Sequence, residues 1–456
     1  MVGIEAAKTY ERFKLLEEAK SVYQGLISRY GLHGQLADVY MQYLANHGLL
    51  AELKLAIDSN PECVDFSAPL LLAQCCLEAG MLDQASIHLE QCPPDDSKLA
   101  LMARFYNQSG DIPGALSVLK DLHQCYQSNS NIEFDLSLAQ LKSGDWSSAW
   151  RHYEQRFNIV NSSYCVPAGI RPVYSNVHPK SRRVLVFGEQ GIGDTVMMAS
   201  VLPDLLEAAE SVLLFVQPRL AKLFSHSFSD IDVVSSISEQ DFLRYDSCYG
   251  IGSLPSYFRP SITSCPGTPY LSVDSESVGV CRRQLAQHSG GLNIGLAWRG
   301  GAPGPNGQRR SMSLEQLLPL LKIEGLNWFS LQNRHDPTEL QYLRDRHGVA
   351  VTHFPGTADD IYQTAGLISA LDLVVTVQQS ALHLAGALGQ QAWVLLPANA
   401  EWRYGSKGSQ MPWYNSVELF RQSSPGDWSV PIKAIQSRLG AWLAEPAGQN
   451  EGQQLS

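Results

Sequence analysis

The stretch from Val184 to Ala199, VLVFGEQGIGDTVMMA, constrains the fold of this chain more than any other. An apolar run, a glycine-rich turn and a helical apolar pattern follow one another, which predicts a strand buried on both faces and then a helix. Open α/β sheets bind ligands where such strands end, and helix N-termini at that edge favour phosphates. We therefore expect a ligand site at this turn, with Gly191 and Gly193 against the ligand.

Two carboxylates stand at the same turn, Glu189 and Asp194. Neither a phosphate-binding turn nor a simple connection needs an acid at these positions. An acid at the mouth of a ligand site can act as a general base toward an incoming hydroxyl. Both residues are therefore candidate catalytic groups.

Composition bounds the class of protein. The 456 residues are enough for two or three domains, and the net charge of -11 argues against a mainly electrostatic nucleic-acid binder. The nine cysteines form no CxxC pair, which indicates reduced thiols. No run approaches eighteen apolar residues, and the first twenty residues are charged and amphipathic. We expect a cytoplasmic protein without a membrane span.

A phrase recurs through residues 1–157, which otherwise have a helical pattern. A glycine that ends one helix returns at steps of 32, 30 and 34 residues, at Gly48, Gly80, Gly110 and Gly144. Five positions later stands Ala85, Ala115 or Ala149, with Leu53 in the first, degenerate copy. This pattern resembles tetratricopeptide repeats, whose stacked helices form a groove for an extended peptide. A plain helical bundle is the alternative.

The remaining chain predicts two α/β domains. Residues 158–181 have three prolines and no period, and we interpret them as a connector. Strands alternate with helices in 182–290 and again in 291–444, which predicts two Rossmann-like domains. We expect the last helix, VPIKAIQSRLGAWLA, to return toward the first of these domains, and residues 445–456 to be disordered.

The second α/β domain contains a candidate phosphate site. In QQSALHLAGALG, Gln379 and Ser380 stand where a helix begins after a buried strand, so free N–H groups and the helix dipole suit a diphosphate. His383 lies one turn further and could donate to a phosphate or ribose oxygen. A structural role for this histidine is the alternative.

Arginines follow the first strand of that domain. Arg299 comes directly after the strand, and a glycine- and proline-rich loop then carries Arg309 and Arg310. The planar guanidinium binds phosphate through two parallel hydrogen bonds, so these residues are candidates for binding a leaving phosphate. The alternative is a surface loop whose arginines contact only water.

A third group follows the last predicted strand: Glu401, Trp402, Arg403, Trp413 and Tyr414. Charges next to aromatic side chains are typical of a sugar or nucleobase platform. A buried corner would have the same residues.

Several chemistries lack their motifs. The sequence contains neither an HExxH motif nor paired cysteines, so it gives no indication of a metal site. It also lacks the GxSxG turn of a serine hydrolase. The glycine turn lacks the ending of a P-loop. It also differs from the GxGxxG of dinucleotide oxidoreductases, since its spacing is GxxGxG.

The chain as a whole resembles bacterial tetratricopeptide-repeat proteins fused to a GT-B glycosyltransferase module, including the flagellin-modifying type. The phrases that carry the resemblance are GDWSSAWRHYEQRF, VLVFGEQGIGDTVMMASVLPDL, IGSLPSYFRPS, IGLAWRGG, FSLQ, QQSALHLAGALG and EWRY…MPWYNSVELFRQ. The α/β half is also similar to the ADP-heptose:lipopolysaccharide heptosyltransferases. That resemblance implies Asp194 as the base and places Gln378 to His383 beside the donor nucleotide.

The sequence departs from the heptosyltransferase pattern at two places. Gln378 and Gln379 stand where those enzymes commonly have an acid followed by a hydroxyl residue, which implies a different activated sugar. The loop lysine expected near the donor phosphates is absent, and Arg309 and Arg310 are the nearest cations in sequence.

The expected fold class is therefore α + α/β, a helical repeat domain followed by a GT-B module. The resemblance implies metal-independent, inverting transfer of a sugar from a nucleotide-activated donor to Ser or Thr hydroxyls of a protein acceptor, with flagellin favoured. Two alternatives stay open. One is a catalytically inactive module that binds or chaperones a secreted substrate, and the other is a transferase for a lipid-linked or polysaccharide acceptor.

Overall fold

The structure is a computed structural model that describes residues 2–12, 15–59, 68–159, 178–180, 182–288, 290–301, 307, 309–333, 336–354 and 360–444. The predicted tail and most of the predicted connector lie outside these residues. The described chain divides into two compact units. A helical unit runs up to Ala139, and the second unit comprises Gln140–Phe157 and the described residues from 178 onward.

The helical unit is built from consecutive helices. They are α1 Val2–Arg12, α2 Leu16–Tyr30, α3 Gly34–Asn46, α4 Leu50–Asp58, α5 Ala68–Ala79, α6 Leu82–Gln91, α7 Asp96–Ser109, α8 Ile112–Cys125 and α9 Ser130–Ser143, whose last residues belong to the second unit. Helix α10, Trp146–Tyr153, follows within the second unit and leads into a 3-10 turn, Glu154–Asn158. The helical character predicted for residues 1–157 is thus confirmed for the part that the structure describes.

Four repeated glycines explain where α3, α5, α7 and α9 end. Gly48, Gly80, Gly110 and Gly144 all have φ between 68° and 95°, a left-handed conformation that only glycine adopts without strain. The aspartate after two of these glycines begins the next helix: the Asp111 carboxylate accepts from the N–H of Gly114 at 3.0 Å. The recurring small residues, Ala85, Ala115 and Ala149, are fully buried.

The second unit contains two parallel sheets. The first has the order β3-β2-β1-β4, with β1 Arg183–Phe187, β2 Ser211–Phe215, β3 Asp232–Val234 and β4 Ser247–Gly250. Its helices are α11 Ile192–Met198, α12 Leu202–Ala208, α13 Pro218–Ser227, α14 Glu239–Phe242 and α15 Pro255–Phe258, and α16 Ser275–Leu285 follows and packs against the helix Ile361–Ile368. Strand β1 runs between β2 and β4, and its residues Val184 to Phe187 are buried, as the apolar run predicts.

The second sheet has the order β10-β9-β8-β5-β6-β7. Its strands are β5 Leu292–Ala297, β6 Leu326–Ser330, β7 Val351–His353, β8 Leu373–Val377, β9 Ala392–Leu396 and β10 Val417–Arg421. Its helices are α17 Leu318–Leu321, α18 Pro337–His347, α19 Ile361–Ile368, α20 Ser380–Ala387 and α21 Ser429–Ala444. All paired strands are parallel, so the chain returns through a helix or loop between most of them.

One expectation about this sheet is wrong. The sequence prediction has helix α21 return toward the first α/β domain. In the structure the helix packs against β9, β10 and α17 instead. Its apolar residues Ile432, Ile435 and Leu439 lie in the same buried cluster as Trp393 and Phe420 of the second sheet. The apolar face of the helix therefore covers its own sheet.

Candidate functional site

A cavity of about 470 Å³ lies where the carboxyl ends of both sheets meet in the second unit. Ten of the predicted site residues line it: Gly191, Gly193, Asp194, Arg310, Gln378, Gln379, Ser380, His383, Glu401 and Arg403. Five further residues complete the described lining: Gln190, Ile192, Gly301, Asn333 and Tyr404. The structure thus brings together residues that are more than two hundred positions apart in the chain, such as Asp194 and Arg403.

Sheet topology explains why the cavity forms here. In the first sheet the strand order reverses between β1 and β4, and in the second it reverses between β5 and β8. At such a switch point the connections that follow the two neighbouring strands run in opposite directions, so a crevice forms between them at the carboxyl ends of the strands. Gly191 and Asp194 follow β1, Gly301 follows β5, and Gln378 follows β8.

Four charged side chains form a continuous chain across one wall of the cavity. The Arg403 guanidinium donates to Oδ1 of Asp194 through Nε at 2.7 Å and through its second terminal nitrogen. It also donates to Glu401, whose other carboxylate oxygen accepts from Arg310 at 2.8 Å. Burial lowers the pKa of Arg403, but Asp194 and Glu401 outweigh burial and hold it above its ordinary value.

Asp194 is held at one oxygen only. Both contacts from Arg403 reach Oδ1, and the described residues offer no hydrogen-bond donor to Oδ2. The side chain is about one-fifth exposed, so it is accessible from the cavity. The carboxylate therefore keeps one oxygen with which to accept a proton.

The N-terminus of α20 forms another part of the cavity lining. Gln379 precedes the helix in an extended conformation, with φ -162° and ψ 179°, and no side chain caps the helix. The first N–H groups of such a helix lack intrahelical partners, and the helix dipole places positive charge on them. Gln379 and Ser380 line the cavity, so this uncapped turn belongs to it.

Two buried donors in the cavity lining have no acceptor among the described residues, Nε2 of Gln378 and Nε of Arg310. Gln378 is only 2% exposed. A buried donor without a partner costs about 1–3 kcal/mol, so its presence in a cavity points to a ligand that supplies acceptors. Phosphate oxygens are acceptors of this kind.

His383 lines the cavity but is buried, and its Nδ1 lies 3.3 Å from the Tyr414 hydroxyl. Burial, together with the positive charge of Arg403, lowers the pKa of His383 to about 3. The imidazole is therefore neutral near pH 7. A neutral ring can donate one hydrogen bond to a ligand but brings no positive charge to a phosphate.

Glu189 does not face the cavity, contrary to the interpretation of the glycine turn. Its carboxylate is buried and accepts from Arg156 through two hydrogen bonds, at 2.8 and 2.6 Å. It also accepts from the N–H of Gly252 at 2.9 Å. A carboxylate whose oxygens are occupied in this way cannot reach a hydroxyl in the cavity, which argues against Glu189 as the base.

Arg299 and Arg309 are not among the described residues that line the cavity. The Arg299 guanidinium pairs with Glu339 at the start of α18. Its backbone N–H donates to Gln332 at 3.2 Å. Arg309 is partly buried. Of the three predicted arginines, only Arg310 reaches the site.

The aromatic residues after the last helix of the site form a buried corner rather than a platform. Trp402, Trp413 and Tyr414 are nearly fully buried. Trp413 stacks on Trp146 of α10 with ring centroids 5.1 Å apart, and Trp402 contacts Trp150 edge to face at 6.0 Å. Their faces are occupied by protein, so no sugar or base can stack on them.

The residues that the sequence interpretation missed have a common position. Asn333 and Gly301 follow the ends of β6 and β5, and Tyr404 lies three residues after Glu401. The rule that carboxyl ends of neighbouring parallel strands share one edge could have identified Asn333. In the parts of the chain that the structure describes, no cluster of three His, Cys, Asp or Glu side chains is arranged to hold a metal ion.

Comparison with known proteins gives three likenesses and one negative result. No protein-family model matches the chain. Protein FlbA of Caulobacter vibrioides is 27% identical over 424 residues, which cover 86% of this chain and 70% of that protein. The chain also resembles two solved structures. ADP-heptose LPS heptosyltransferase II of E. coli has 13% identity and a TM-score of 0.41, over 57% of this chain and 98% of that one. The glycosyl transferase family 9 protein of Veillonella parvula has 9% identity and a TM-score of 0.41, over 59% and 99%.

The described helices also bear on the question of a membrane. None of them combines the length and the apolar character needed to cross a bilayer.

Proposed function

We propose that this chain is a glycosyltransferase that moves a sugar from a nucleotide-activated donor to a hydroxyl of a protein acceptor. The observation that carries the proposal is the cavity itself. It lines one site with Asp194, a carboxylate with one oxygen that no described donor contacts, and with a set of donors suited to phosphate oxygens. General-base chemistry and leaving-group stabilisation need these two halves within one site.

The proposed reaction is a displacement at the anomeric carbon. The acceptor oxygen forms the new C–O bond while the bond from that carbon to the nucleotide phosphate breaks and its electron pair leaves with the phosphate. Oδ2 of Asp194 takes the hydroxyl proton. Attack from the side opposite the leaving group inverts the anomeric centre.

The leaving phosphate would be held by protein groups, and we propose that no metal ion is needed. Arg310 supplies positive charge and an unpartnered Nε, and Gln378 supplies an unpartnered amide. The uncapped N–H groups at Ser380 add the helix dipole. The side-chain amide of Gln378 can donate a hydrogen bond, so it favours a ligand with an acceptor at this position. A carboxylate at the same position would require a donor on the ligand.

The acceptor that we propose is a protein, with flagellin favoured by the resemblance of the chain as a whole to the flagellin-modifying type. The helical unit exposes amide side chains on neighbouring helices: Gln42 and Gln74 both donate to Asn46, at 2.9 and 2.6 Å. Amides donate and accept hydrogen bonds, as the backbone of an extended peptide also does. Such a surface suits an unfolded or extended segment of the acceptor.

One observation favours a second candidate, a module that binds nucleotide and acceptor without transfer. Both contacts from Arg403 reach Oδ1 of Asp194, and an ion pair of this kind can hold a site together without any proton transfer. If that pairing persists with all ligands bound, Asp194 would bind and not catalyse.

The first test is the intact mass of flagellin co-produced with wild-type protein or with Asp194→Asn. We expect a mass increment with the wild type and its loss with Asp194→Asn, by at least about a hundredfold in rate, because the amide cannot take the proton. Asp204→Asn is the matched control, since Asp204 also pairs with an arginine, Arg259 at 2.7 Å, outside the cavity lining. It should keep transfer.

The outcomes separate the candidates. Transfer by Asp194→Asn at the wild-type rate would rule out Asp194 as the base. No increment with the wild type, while flagellin still co-purifies, would support the binding module. An increment found only on a lipid-linked or polysaccharide acceptor would overturn the protein acceptor and keep the transferase.

A further inference from the structure

We infer that residues 140–157 brace the candidate site by holding one loop from each sheet in place, and that Trp146, Tyr153 and Arg156 are positioning residues. The inference deepens the proposed function and rests on it only for the chemistry of the site. The two loops are the turn 188–191 after β1, which leads to Asp194, and the segment 397–404 after β9, which contains Glu401 and Arg403.

The first-sheet side of the brace is made by buried polar contacts. Arg156 is fully buried and binds the Glu189 carboxylate through two hydrogen bonds, at 2.8 and 2.6 Å. The Tyr153 hydroxyl accepts from Nε2 of Gln190 at 2.8 Å, and Gln190 lines the cavity. Gln190 has φ 63°, a strained conformation for a residue with a side chain, so its neighbours must hold it there.

Glycines let this pair approach the sheet. A Cβ on Gly250 or Gly252 would lie 2.6 or 2.8 Å from Oε1 of Glu189. Oε1 accepts from the N–H of Gly252 at the same place. The turn after β1 is therefore tied both to the end of β4 and to Arg156.

The second-sheet side of the brace is aromatic. Trp150 and Tyr153 contact Trp402 of the segment 397–404 at 6.0 and 6.1 Å. Trp146 acts on this segment through Trp413, since it stacks on Trp413 at 5.1 Å and the Trp413 ring lies 6.3 Å from that of Trp402. Trp402 lies between Glu401 and Arg403 in sequence, so its ring anchors the backbone that carries both charged residues. Lys142 adds a hydrogen bond to Asn399 in the same segment.

Helix α10 thus contacts both loops. The first leads to Asp194 and the second contains Arg403, and these two side chains form an ion pair. Tyr153 joins the two sides directly, since its hydroxyl contacts the first loop and its ring the second. A rigid element that supports both partners fixes their separation, and a shift of about 1 Å in a catalytic site can cost about a hundredfold in rate. The brace would therefore set the geometry of the base and of the groups around the donor.

The test is hydrogen–deuterium exchange of the full chain, which needs no ligand. Trp146→Ala removes a contact on the second-sheet side. We expect amides in 188–194, on the first-sheet side, to exchange about fivefold faster or more, as well as those in 397–404. Trp146→Phe keeps a stacking ring and should restore slow exchange in both loops.

Trp328→Ala is the matched control, because Trp328 is equally buried in the core of the second sheet and does not contact the brace. It should destabilise the second sheet and leave 188–194 unchanged. If Trp146→Ala speeds exchange only in its own surroundings, the two loops are independent and the inference is overturned.

Tyr153→Phe tests the same coupling from the other side should Trp146→Ala fail to fold. It removes only the hydroxyl on Gln190, and faster exchange in 397–404 is the expected result. Unchanged exchange there would contradict the inference.

Calorimetric titration with ADP, UDP, GDP and CMP separates this inference from the proposed function. If the wild type binds one of them, Trp146→Ala should weaken that binding by about tenfold, and Trp146→Phe should restore it. If the wild type binds none, the proposed donor site fails, while the exchange experiment still decides whether the brace couples the two loops.

Discussion

At the scale of single residues, burial decides what each candidate side chain can do. Asp194 and Glu189 are five positions apart at the same turn, yet one reaches the cavity and the other is enclosed by Arg156. His383 reaches the cavity but is held neutral by burial. The surroundings of an ionisable group, and not its type, set its protonation and its access to a substrate.

His383 gives a prediction about pH. Its pKa is about 3 in the folded chain and 6.5 in the unfolded chain, so only the unfolded state takes up its proton as pH falls below 6.5. The stability associated with neutral His383 is complete above pH 6.5 and is lost progressively as pH falls toward 3. Between pH 7.5 and 5 this loss amounts to about 2 kcal/mol.

Urea unfolding of the wild type and of His383→Gln at both pH values measures this difference. The wild type should lose about 2 kcal/mol more than the variant on acidification. His88 is the matched control position, because burial also lowers its pKa but its helix belongs to the helical unit. Equal losses in wild type and His383→Gln would contradict the assignment.

At the scale of elements, the recurring glycines define the helical unit by their conformation. Each ends a helix with positive φ, and the residues that follow begin the next helix. Gly25 differs, since it lies inside α2 with no atom within 4 Å of the Cβ that an alanine would add. The same residue type therefore has opposite effects at the two kinds of position.

Replacing these glycines should change stability in opposite directions. Gly110→Ala forces a Cβ into the left-handed region at φ 88° and should destabilise the helical unit by about 1–2 kcal/mol. Gly25→Ala should stabilise it by up to about 1 kcal/mol, because alanine loses less backbone entropy in a helix. Thermal unfolding of both variants measures the sign, and a stable Gly110→Ala would show that this helix end is not left-handed.

At the scale of the second unit, the site exists because the two α/β halves approach closely. Gly193 of α11 faces α20, and a Cβ there would lie 3.0 Å from Cδ2 of His383 and 3.4 Å from the Cα of Ser380. Tyr270 adds a bond from its hydroxyl to the carbonyl oxygen of Val196 at 2.7 Å. The sequence predicts that Gly193 faces a ligand. In the structure this glycine also allows α11 to pack closely against α20.

Gly193→Ala should therefore separate α11 from α20 by a few tenths of an ångström and weaken nucleotide binding by about tenfold. Gly279→Ala is the control, since its Cβ in α16 would contact only the end of the flexible Arg283 side chain, at 3.4 Å. Calorimetric titration with whichever of ADP, UDP, GDP or CMP binds the wild type measures both. Unchanged binding by Gly193→Ala would show that the space between α11 and α20 accommodates the additional Cβ without moving the helices apart.

The sequence by itself determined the elements of this protein. Apolar runs predicted that strands alternate with helices in 182–290 and in 291–444, because a strand buried on both faces needs consecutive apolar residues, and the glycines predicted the helix ends. Strand β10 carries the weakest signal of this kind, since Glu418 and Arg421 interrupt its apolar pattern at the edge of the sheet. Ten of the thirteen predicted site residues were found at the cavity because parallel strands deliver the residues after them to one edge.

Only the tertiary structure decided which side chains face the cavity and which face other protein groups. Glu189 pairs with Arg156, Arg299 with Glu339, and Trp413 with Trp146, and each partner is distant in sequence. The local sequence pattern shows whether a residue is apolar or charged. It does not show which charged or aromatic side chain of another helix, strand or loop will contact that residue. Pairing across elements depends on how the elements pack, and that is a property of the whole fold.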